Sequence, residues 1–145
     1  MDGAAFKILM VVGLGAVELW AAIPMGFALG LHPIVTAASA ASGAIIAVLA
    51  VVALGERAQG WLASRHGPSD GGQRRLRDVW RRYGAAGLGL TAPLLVGAPL
   101  GTVLGLLLGA PPRSLLMWMA VGASMWSAIL TLAVALGLIG LESLG

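Results

Sequence analysis

Two long runs without a charged residue constrain this chain more than any other feature. Residues 34–54 and 114–141 are uncharged and largely apolar, and each is long enough to cross the roughly 30 Å core of a bilayer as a helix. Only 10% of the residues are charged, whereas soluble domains carry about 25%. Such a chain cannot cover itself with polar surface. The sequence therefore predicts an all-α integral membrane protein with one membrane domain, residues 1–145.

The apolar run before the first span, residues 4–31, contains helix breakers. Glu18 lies near its middle and Pro24 follows six residues later. A helix broken between them leaves two arms of about 13 residues, roughly 20 Å each, which are too short to cross a bilayer. Two such arms predict a re-entrant hairpin. Because no cleavage site follows the first arm, we expect this segment to be retained rather than removed as a signal peptide.

The run before the second span, residues 84–110, has the same character. It is uncharged but contains Pro93, Pro99 and seven glycines. Interior proline destabilises a helix by about 3 kcal/mol and interior glycine by about 1 kcal/mol, so an unbroken helix is disfavoured. We predict that both of these prolines, like Pro24, break helices.

The two halves also share a motif. PMGFALGL at residues 24–31 and PLGTVLGL at residues 99–106 are identical at five of eight positions. A duplicated pattern in an apolar chain is typical of membrane transporters. We therefore predict two pseudo-repeats, residues 4–55 and 84–141, each a broken hairpin followed by a transmembrane helix.

Two topologies fit this pattern. If both hairpins are re-entrant, the halves insert with opposite orientation and the hairpin tips can meet near the bilayer midplane. If both broken runs cross the membrane, the protein is a four-helix bundle with parallel halves. Charge leaves both topologies open, because the first places Lys7 outside and the second places Arg113 outside. The prolines and glycines favour the hairpins.

The predicted repeats are joined by the only polar region, residues 56–83. It carries seven arginines against three acidic residues, so the positive-inside rule places it in the cytoplasm. Its second part combines an apolar stripe with arginines on the other faces, which predicts an amphipathic helix on the surface of the cytoplasmic membrane. We expect headgroup contacts, to anionic lipid rather than nucleic acid, from Arg74, Arg75, Arg77, Arg81 and Arg82, and from Arg113 at a membrane edge.

Two segments carry a family resemblance. VELWAAIPMGFALGL at residues 17–31 and RRYGAAGLGLTAPLL at residues 81–95, with the apolar span and basic linker between them, resemble the small multi-drug export family. That family looks distantly related to the DedA and VTT membrane proteins, so the resemblance implies paired re-entrant hairpins and membrane export.

Individual residues follow the family pattern to different extents. The pattern begins with a glutamate and a leucine and reaches an Ile-Pro pair, which Glu18, Leu19, Ile23 and Pro24 match, while Trp20 replaces a basic residue. In the second half Pro93 matches, but the Pro-Gly-Thr-Gly core of the family is poorly kept in the sequence LLVGAPLG.

Glu18 is the only ionisable residue well inside an apolar segment. Charges at that depth are unfavourable and commonly serve ion or proton pathways, so reversible protonation of this carboxylate is a candidate coupling step. In the alternative interpretation, Glu18 caps the second arm by accepting backbone N–H bonds.

Other residues complete the predicted sites. A substrate or proton pathway would add five residues: Pro24, Thr91, Pro93, Pro99 and Thr102. Close helix packing is expected at five glycines: Gly26, Gly30, Gly101, Gly105 and Gly109. His32 is interpreted as a boundary residue, because no second metal ligand accompanies it.

Catalytic signatures are absent from the sequence. It has no nucleophile–base pair, acidic pair, metal cluster or phosphate loop, and no cysteine, so we expect neither an enzyme nor a cofactor. The sequence favours a small transporter, a homodimer that exports a small molecule with protons or flips a lipid. The alternative is a non-catalytic subunit or assembly factor of a larger membrane complex.

Overall fold

The computed structural model describes residues 3–63 and 84–142 of the chain. These residues form the helices α1 (Gly3–Val17), α2 (Leu19–Ala28), α3 (Pro33–Ala63), α4 (Ala85–Leu95), α5 (Ala98–Leu107) and α6 (Pro112–Glu142). The described part contains no strand, so the predicted all-helical class is confirmed. Residues 64–83 lie outside it, and with them the predicted headgroup residues Arg74, Arg75, Arg77, Arg81 and Arg82.

The two long helices, α3 and α6, contain the predicted membrane spans. Pro33–Gly55 and Pro112–Leu138 are long and apolar enough to cross a bilayer. In their most apolar parts only 33% and 28% of the residues are buried within the chain. The core helix of a soluble protein is mostly buried, whereas here the remaining apolar surface suits lipid. The chain is therefore a membrane protein.

These two helices run antiparallel. The Ser127 hydroxyl, halfway along α6, donates a hydrogen bond of 2.8 Å to the carbonyl oxygen of Ala37, near the start of α3. Gly55, at the other end of the α3 span, lies beside the side chain of Leu106, shortly before α6 begins. Each long helix begins on a proline, whose missing N–H and fixed φ suit the first turn.

Helices α1 and α2 fold back on each other as hairpin 1. The Lys7 ammonium donates a 2.7 Å hydrogen bond to the carbonyl oxygen of Leu29, although the two residues are 22 apart in sequence. In a continuous helix, that separation would place them about 33 Å apart. Glu18 alone separates the two helices and has an extended backbone, with φ −151° and ψ 115°. Glu18 is therefore the tip of hairpin 1.

Helices α4 and α5 form hairpin 2 in the same way. Its tip is Val96 and Gly97, and the φ of Gly97 is +83°, which favours glycine. Behind the tip, Gly101 of α5 lies so close to Ala92 of α4 that a Cβ on the glycine would overlap the alanine methyl group.

The prediction that three prolines break helices is wrong for two of them. Pro24 lies inside α2 and Pro93 lies inside α4, while Pro99 is the second residue of α5. The chain breaks at Glu18 and at Gly97 instead. Each interior proline removes one helical hydrogen bond, but packing keeps the helix intact, since Ile23 and Ala92 beside the prolines are buried.

Both hairpins end in the same turn. Gly30 and Gly109 have φ values of +71° and +80°. The amide of the next residue bonds back to a glycine carbonyl in each case, Leu31 to Gly26 at 3.0 Å and Ala110 to Gly105 at 2.9 Å. This is a glycine-terminated helix end.

The turns also correct the register of the sequence motif. The hydrogen bonds make Gly30 equivalent to Gly109, whereas the motif aligns Gly30 with Gly105. The motif is therefore out of register with the turn geometry by four residues, about one helical turn.

The two hairpins open at opposite ends of the long helices. Gly26, near the open end of hairpin 1, packs against Thr36 at the start of α3. Leu106, near the open end of hairpin 2, packs against Gly55 at the far end of the α3 span. The tips therefore point toward each other along the length of α3.

Small residues let hairpin 1 approach α3 closely. Gly15 of α1 lies on the backbone of Ala40, and Gly43 of α3 lies on the carbonyl of Val12. Ala40 and Ala44 are fully buried in this crossing. Backbone contact of this kind is typical of helices in lipid, where packing rather than the hydrophobic effect holds them together.

Candidate functional site

The candidate site lies where the two hairpin tips meet. A Cβ built on Gly97 would lie 3.3 Å from the carbonyl oxygen of Val17 and 3.8 Å from Oε2 of Glu18. Gly97 is buried and Glu18 is half-buried. Gly15, one turn before Glu18, contacts Ala40 of α3. Since Ala40 lies inside the Pro33–Gly55 span, the tips meet within the length of that span.

The Glu18 carboxylate has no hydrogen bond or ion pair among residues 3–63 and 84–142. The alternative interpretation, in which it caps α2, is wrong, because no side-chain cap bond forms. Only the backbone of Glu18 is engaged: its N–H donates to Leu14 at 2.7 Å and its carbonyl accepts from Ala22 at 3.2 Å. Within the described part of the chain, the carboxylate therefore has no polar partner.

Two helix N-termini adjoin this carboxylate. Helix α2 begins at Leu19 and helix α5 begins at Ala98, and neither has a side-chain cap. The first N–H groups of a helix lack partners within it and carry partial positive charge. The field at the tips is therefore positive.

A tryptophan that sequence reasoning did not place in the site joins the two hairpins. The indole N–H of Trp20 donates to the carbonyl oxygen of Leu94 at 3.0 Å. The indole N–H of Trp126, on α6, donates a hydrogen bond of 2.6 Å to the carbonyl oxygen of Leu90, also on α4. Leu94 lies in the last turn of α4, where carbonyls lack helical partners, whereas Leu90 lies one turn earlier. The signal that was available is that a tryptophan N–H away from water needs an acceptor.

The chain matches one family model over residues 18–129, a match that begins at Glu18 and extends into α6. The model is described as "Putative small multi-drug export protein". The chain belongs to this family. No curated protein and no solved structure matches it significantly.

In this small multi-drug export family member, the two predicted pathway threonines lie in different environments. Thr91 is exposed, and its hydroxyl bonds to the carbonyl of Gly87 on its own helix at 2.8 Å. Thr102 is fully buried, and its hydroxyl bonds to Ala98 at 2.7 Å. Both hydroxyls are thus engaged by their own backbone, the behaviour common for threonine in helices.

The predicted pathway prolines are dispersed around the tips. Pro24 is exposed, Pro93 is buried and Pro99 is half-buried next to the tip of hairpin 2. Pro99 lies 3.8 Å from a Cβ built on Gly97. Of the three, Pro99 alone directly adjoins the meeting point of Glu18 and Gly97.

The five predicted packing glycines have two kinds of surroundings. Gly26, Gly101 and Gly105 are buried against side chains of the same chain. Gly30 and Gly109 have nothing within 4 Å of a built Cβ and supply the positive φ of the turns instead.

The remaining polar residues lie away from the tips. Arg113 is exposed in the first turn of α6. His32 is also exposed, and its Nδ1 accepts the N–H of Ile34 at 3.3 Å before α3 begins. Over residues 3–63 and 84–142, no three His, Cys, Asp or Glu side chains are grouped as a metal site would require.

Two buried hydroxyls were missed by sequence reasoning. Thr36 on α3 is fully buried and Thr131 on α6 is 6% exposed. Neither Oγ1 atom has a hydrogen-bond partner among residues 3–63 and 84–142. No local pattern distinguishes them, because their burial depends on how α2, α3 and α6 pack together.

Proposed function

We propose that this chain is a small membrane transporter in which Glu18 takes up and releases a proton to drive the export of a small molecule or the flipping of a lipid. The observation that carries the proposal is the half-buried carboxylate of Glu18, which has no polar partner among the described residues and lies beside the opposite hairpin tip at Gly97. Membership of a multi-drug export family supports export as the direction.

The arrangement of the hairpins supports re-entrant insertion and an inverted repeat. An arm of 15 residues, such as α1, is about 22 Å long, and one of 10 residues, such as α2, is about 15 Å long. Neither is long enough to cross a bilayer core of about 30 Å. Hairpins that open at opposite ends of α3 would enter from opposite membrane faces, as in transporters built from inverted repeats and in the DedA-like plan.

Such an arrangement suits alternating access. The tips meet at Gly97, which has no side chain to interlock with hairpin 1. A substrate and a proton could therefore compete for Glu18. When the hairpins move apart, each of the two would reach Glu18 from one membrane face. Interrupted helices with free N–H groups at midplane are the usual binding sites of secondary transporters.

The remaining elements fit this role. We propose a homodimer in the cytoplasmic membrane, multi-pass, with the basic linker on the cytoplasmic side against anionic headgroups. The chain would act without enzymatic chemistry or a cofactor. Native mass spectrometry after mild extraction would give the dimer directly, and a monomer or a complex with other polypeptides would exclude it.

The alternative role as a non-catalytic subunit loses one of its two supports. It relied on the near absence of polar groups in the membrane and on small-residue stripes suited to docking a partner helix. Gly101 and Gly105 contact Ala92 and Leu115 of the same chain and are buried. A partner would have to use another surface.

Glu18→Gln tests the proposal. The amide keeps the shape of the side chain but cannot ionise, so the purified variant should fold normally and lose proton-coupled transport in liposomes with an imposed pH gradient. Glu142→Gln, at the last residue of α6, is the matched control and should transport like the original protein. Transport by Glu18→Gln at the original rate would overturn the proposal.

A further inference from the structure

Apart from Thr102 on α5, the buried hydroxyl groups of the described residues are concentrated at one end of the molecule. Thr36 packs against Gly26 at the open end of hairpin 1. Ser127 reaches Ala37, the next residue of α3. Thr131 lies one turn beyond Ser127 on the same face of α6, and because α3 and α6 are antiparallel, this turn extends toward the start of α3. The three hydroxyls therefore share one end of the interface between the long helices.

Two of these hydroxyls are unsatisfied within the described part of the chain. The Oγ1 atoms of Thr36 and Thr131 have no partner there, although both side chains are more than nine-tenths buried. Helical threonines usually bond the carbonyl four residues earlier, as Thr91 and Thr102 do here. Buried polar groups without protein partners are typically satisfied by internal water.

The other end of the molecule is apolar at the matching positions. The turns pair Gly30 with Gly109, and the same offset pairs Thr36 with Leu115, Ser127 with Val48 and Thr131 with Val52. Packing supports the first of these pairs. Gly26 contacts Thr36, and Gly105, which the same offset pairs with Gly26, contacts Leu115.

The apolar end is closed as tightly as the polar end. Leu115 and Val48 are fully buried, and Val52 is 8% exposed. The two ends thus match in backbone geometry and burial. They differ because each of the three hydroxyl-bearing residues at one end is matched by an aliphatic residue at the other.

We propose that Thr36, Ser127 and Thr131 line a water path from the membrane face at which α3 begins, and that Glu18 exchanges its proton with that face through it. The end at Leu115, Val48 and Val52 stays dry. The identity of Glu18 as the endpoint rests on the proposed function; the one-sided hydration does not.

The position of Glu18 suits this path. Gly15 contacts Ala40, which is one turn after Thr36 on the same face of α3. Glu18 lies one turn beyond Gly15, so it is separated from Thr36 by on the order of 10 Å along the helix axis. A few water molecules are enough to cover that distance.

Cysteine labelling tests the path, because the chain contains no native cysteine. Thr36→Cys and Thr131→Cys are compared with their counterparts Leu115→Cys and Val52→Cys in proteoliposomes, using a charged methanethiosulfonate reagent added to either side. Only thiols that reach water form the reactive thiolate, so the first pair should label at least about tenfold faster than the second. Labelling should come from one side only.

Opposite results would overturn the proposal. Equal labelling of both pairs, or no labelling of Thr36→Cys and Thr131→Cys, excludes a one-sided water path. Neither labelling result depends on transport activity. A failure of the water path can therefore be distinguished from a failure of the proposed function, in which Glu18→Gln would leave transport intact.

A second measurement uses the unsubstituted protein and therefore holds if a cysteine variant does not fold. Hydrogen–deuterium exchange in liposomes should be faster for amides at residues 36–40 than for those at residues 115–119. Equal exchange, or faster exchange at residues 115–119, would contradict the proposal. As a further check, Thr36→Val should impair proton uptake. If the variant instead has a raised Tm and normal proton uptake, Thr36 has only a packing role and is not part of the water path.

Discussion

The indole N–H of Trp20, in the first turn of α2, donates to the carbonyl oxygen of Leu94, in the last turn of α4, at 3.0 Å. This bond joins hairpin 1 to hairpin 2 beside the tips, and α2 and α4 also contact each other directly. Because Trp20 is half-exposed on its other side, the bond depends on the relative position of the two hairpins and not on core packing.

Trp20→Phe should loosen the hairpins with little effect on the rest of the fold. The ring is retained and one hydrogen bond is lost, so the expected destabilisation is about 0.5–1.5 kcal/mol. Thermal unfolding in detergent and the exchange rates of α2 amides would measure it. Trp126→Phe is the control: its bond to Leu90 lies within the second half, so it should lower stability without accelerating exchange in α2. Identical hydrogen exchange of the α2 amides in both variants would contradict the role of the Trp20 bond in joining the two hairpins.

Gly97→Ala should strain the tip of hairpin 2. A φ of +83° is unfavourable for any residue with a Cβ, and the added methyl group would lie 3.3 Å from the carbonyl of Val17. Together these effects should destabilise the protein by about 1–3 kcal/mol. Gly137→Ala is the control, because nothing lies within 4 Å of its built Cβ and alanine favours a helix interior by up to about 1 kcal/mol. Thermal denaturation of both variants would decide, and a Gly97→Ala protein as stable as the original would be inconsistent with the geometry.

Gly43→Ala should separate α1 from α3. A methyl group there would collide with the carbonyl of Val12, and overpacking of this kind destabilises a core by about 1–3 kcal/mol. Gly13→Ala on α1 has open space around it and should be neutral or slightly stabilising. Limited proteolysis together with thermal unfolding would report the change. A Gly43→Ala protein that resists proteolysis and heat as well as the original would exclude the close crossing of α1 and α3.

Lys7→Met should fray the end of α2. The ammonium of Lys7 bonds to the carbonyl of Leu29 at 2.7 Å, where the negative end of the α2 dipole favours a cation. Loss of a hydrogen bond to a charged group at a helix end should destabilise the protein by about 1–2 kcal/mol. Faster hydrogen exchange at residues 26–31 would be the direct readout. Arg113→Met removes an exposed cation from the first turn of α6 and should leave that segment unchanged.

Sequence reasoning correctly placed the two membrane spans and the interruption at Glu18. Long uncharged runs and a lone carboxylate are local features, and their physical consequences in lipid do not depend on neighbours. The positions of the remaining breaks do depend on neighbours. Pro24 and Pro93 lack one hydrogen bond each, yet packing around Ile23 and Ala92 holds both helices together.

The offset between the sequence motif and the two glycine turns was hidden by glycine spacing. Gly101, Gly105 and Gly109 lie four residues apart, so a slip of one helical turn still aligns glycine with glycine. Only the positive φ of Gly30 and Gly109 distinguishes the turn positions from the packing positions.

The buried hydroxyls could not be predicted for a related reason. Thr36 and Thr131 have no local signature, because other helical threonines of this chain are found both exposed, as Thr91 is, and buried, as Thr102 is. Their isolation arises from contacts among α2, α3 and α6, which a linear pattern does not contain.

The meeting of Glu18 with Gly97 has a consequence for biogenesis. Gly97 is synthesised 79 residues after Glu18, which at about 5–20 residues per second is roughly 4–16 s. During that interval the carboxylate of Glu18 lacks the surroundings that hairpin 2 later provides. The order of synthesis therefore leaves this carboxylate without its neighbour Gly97 until hairpin 2 has been made.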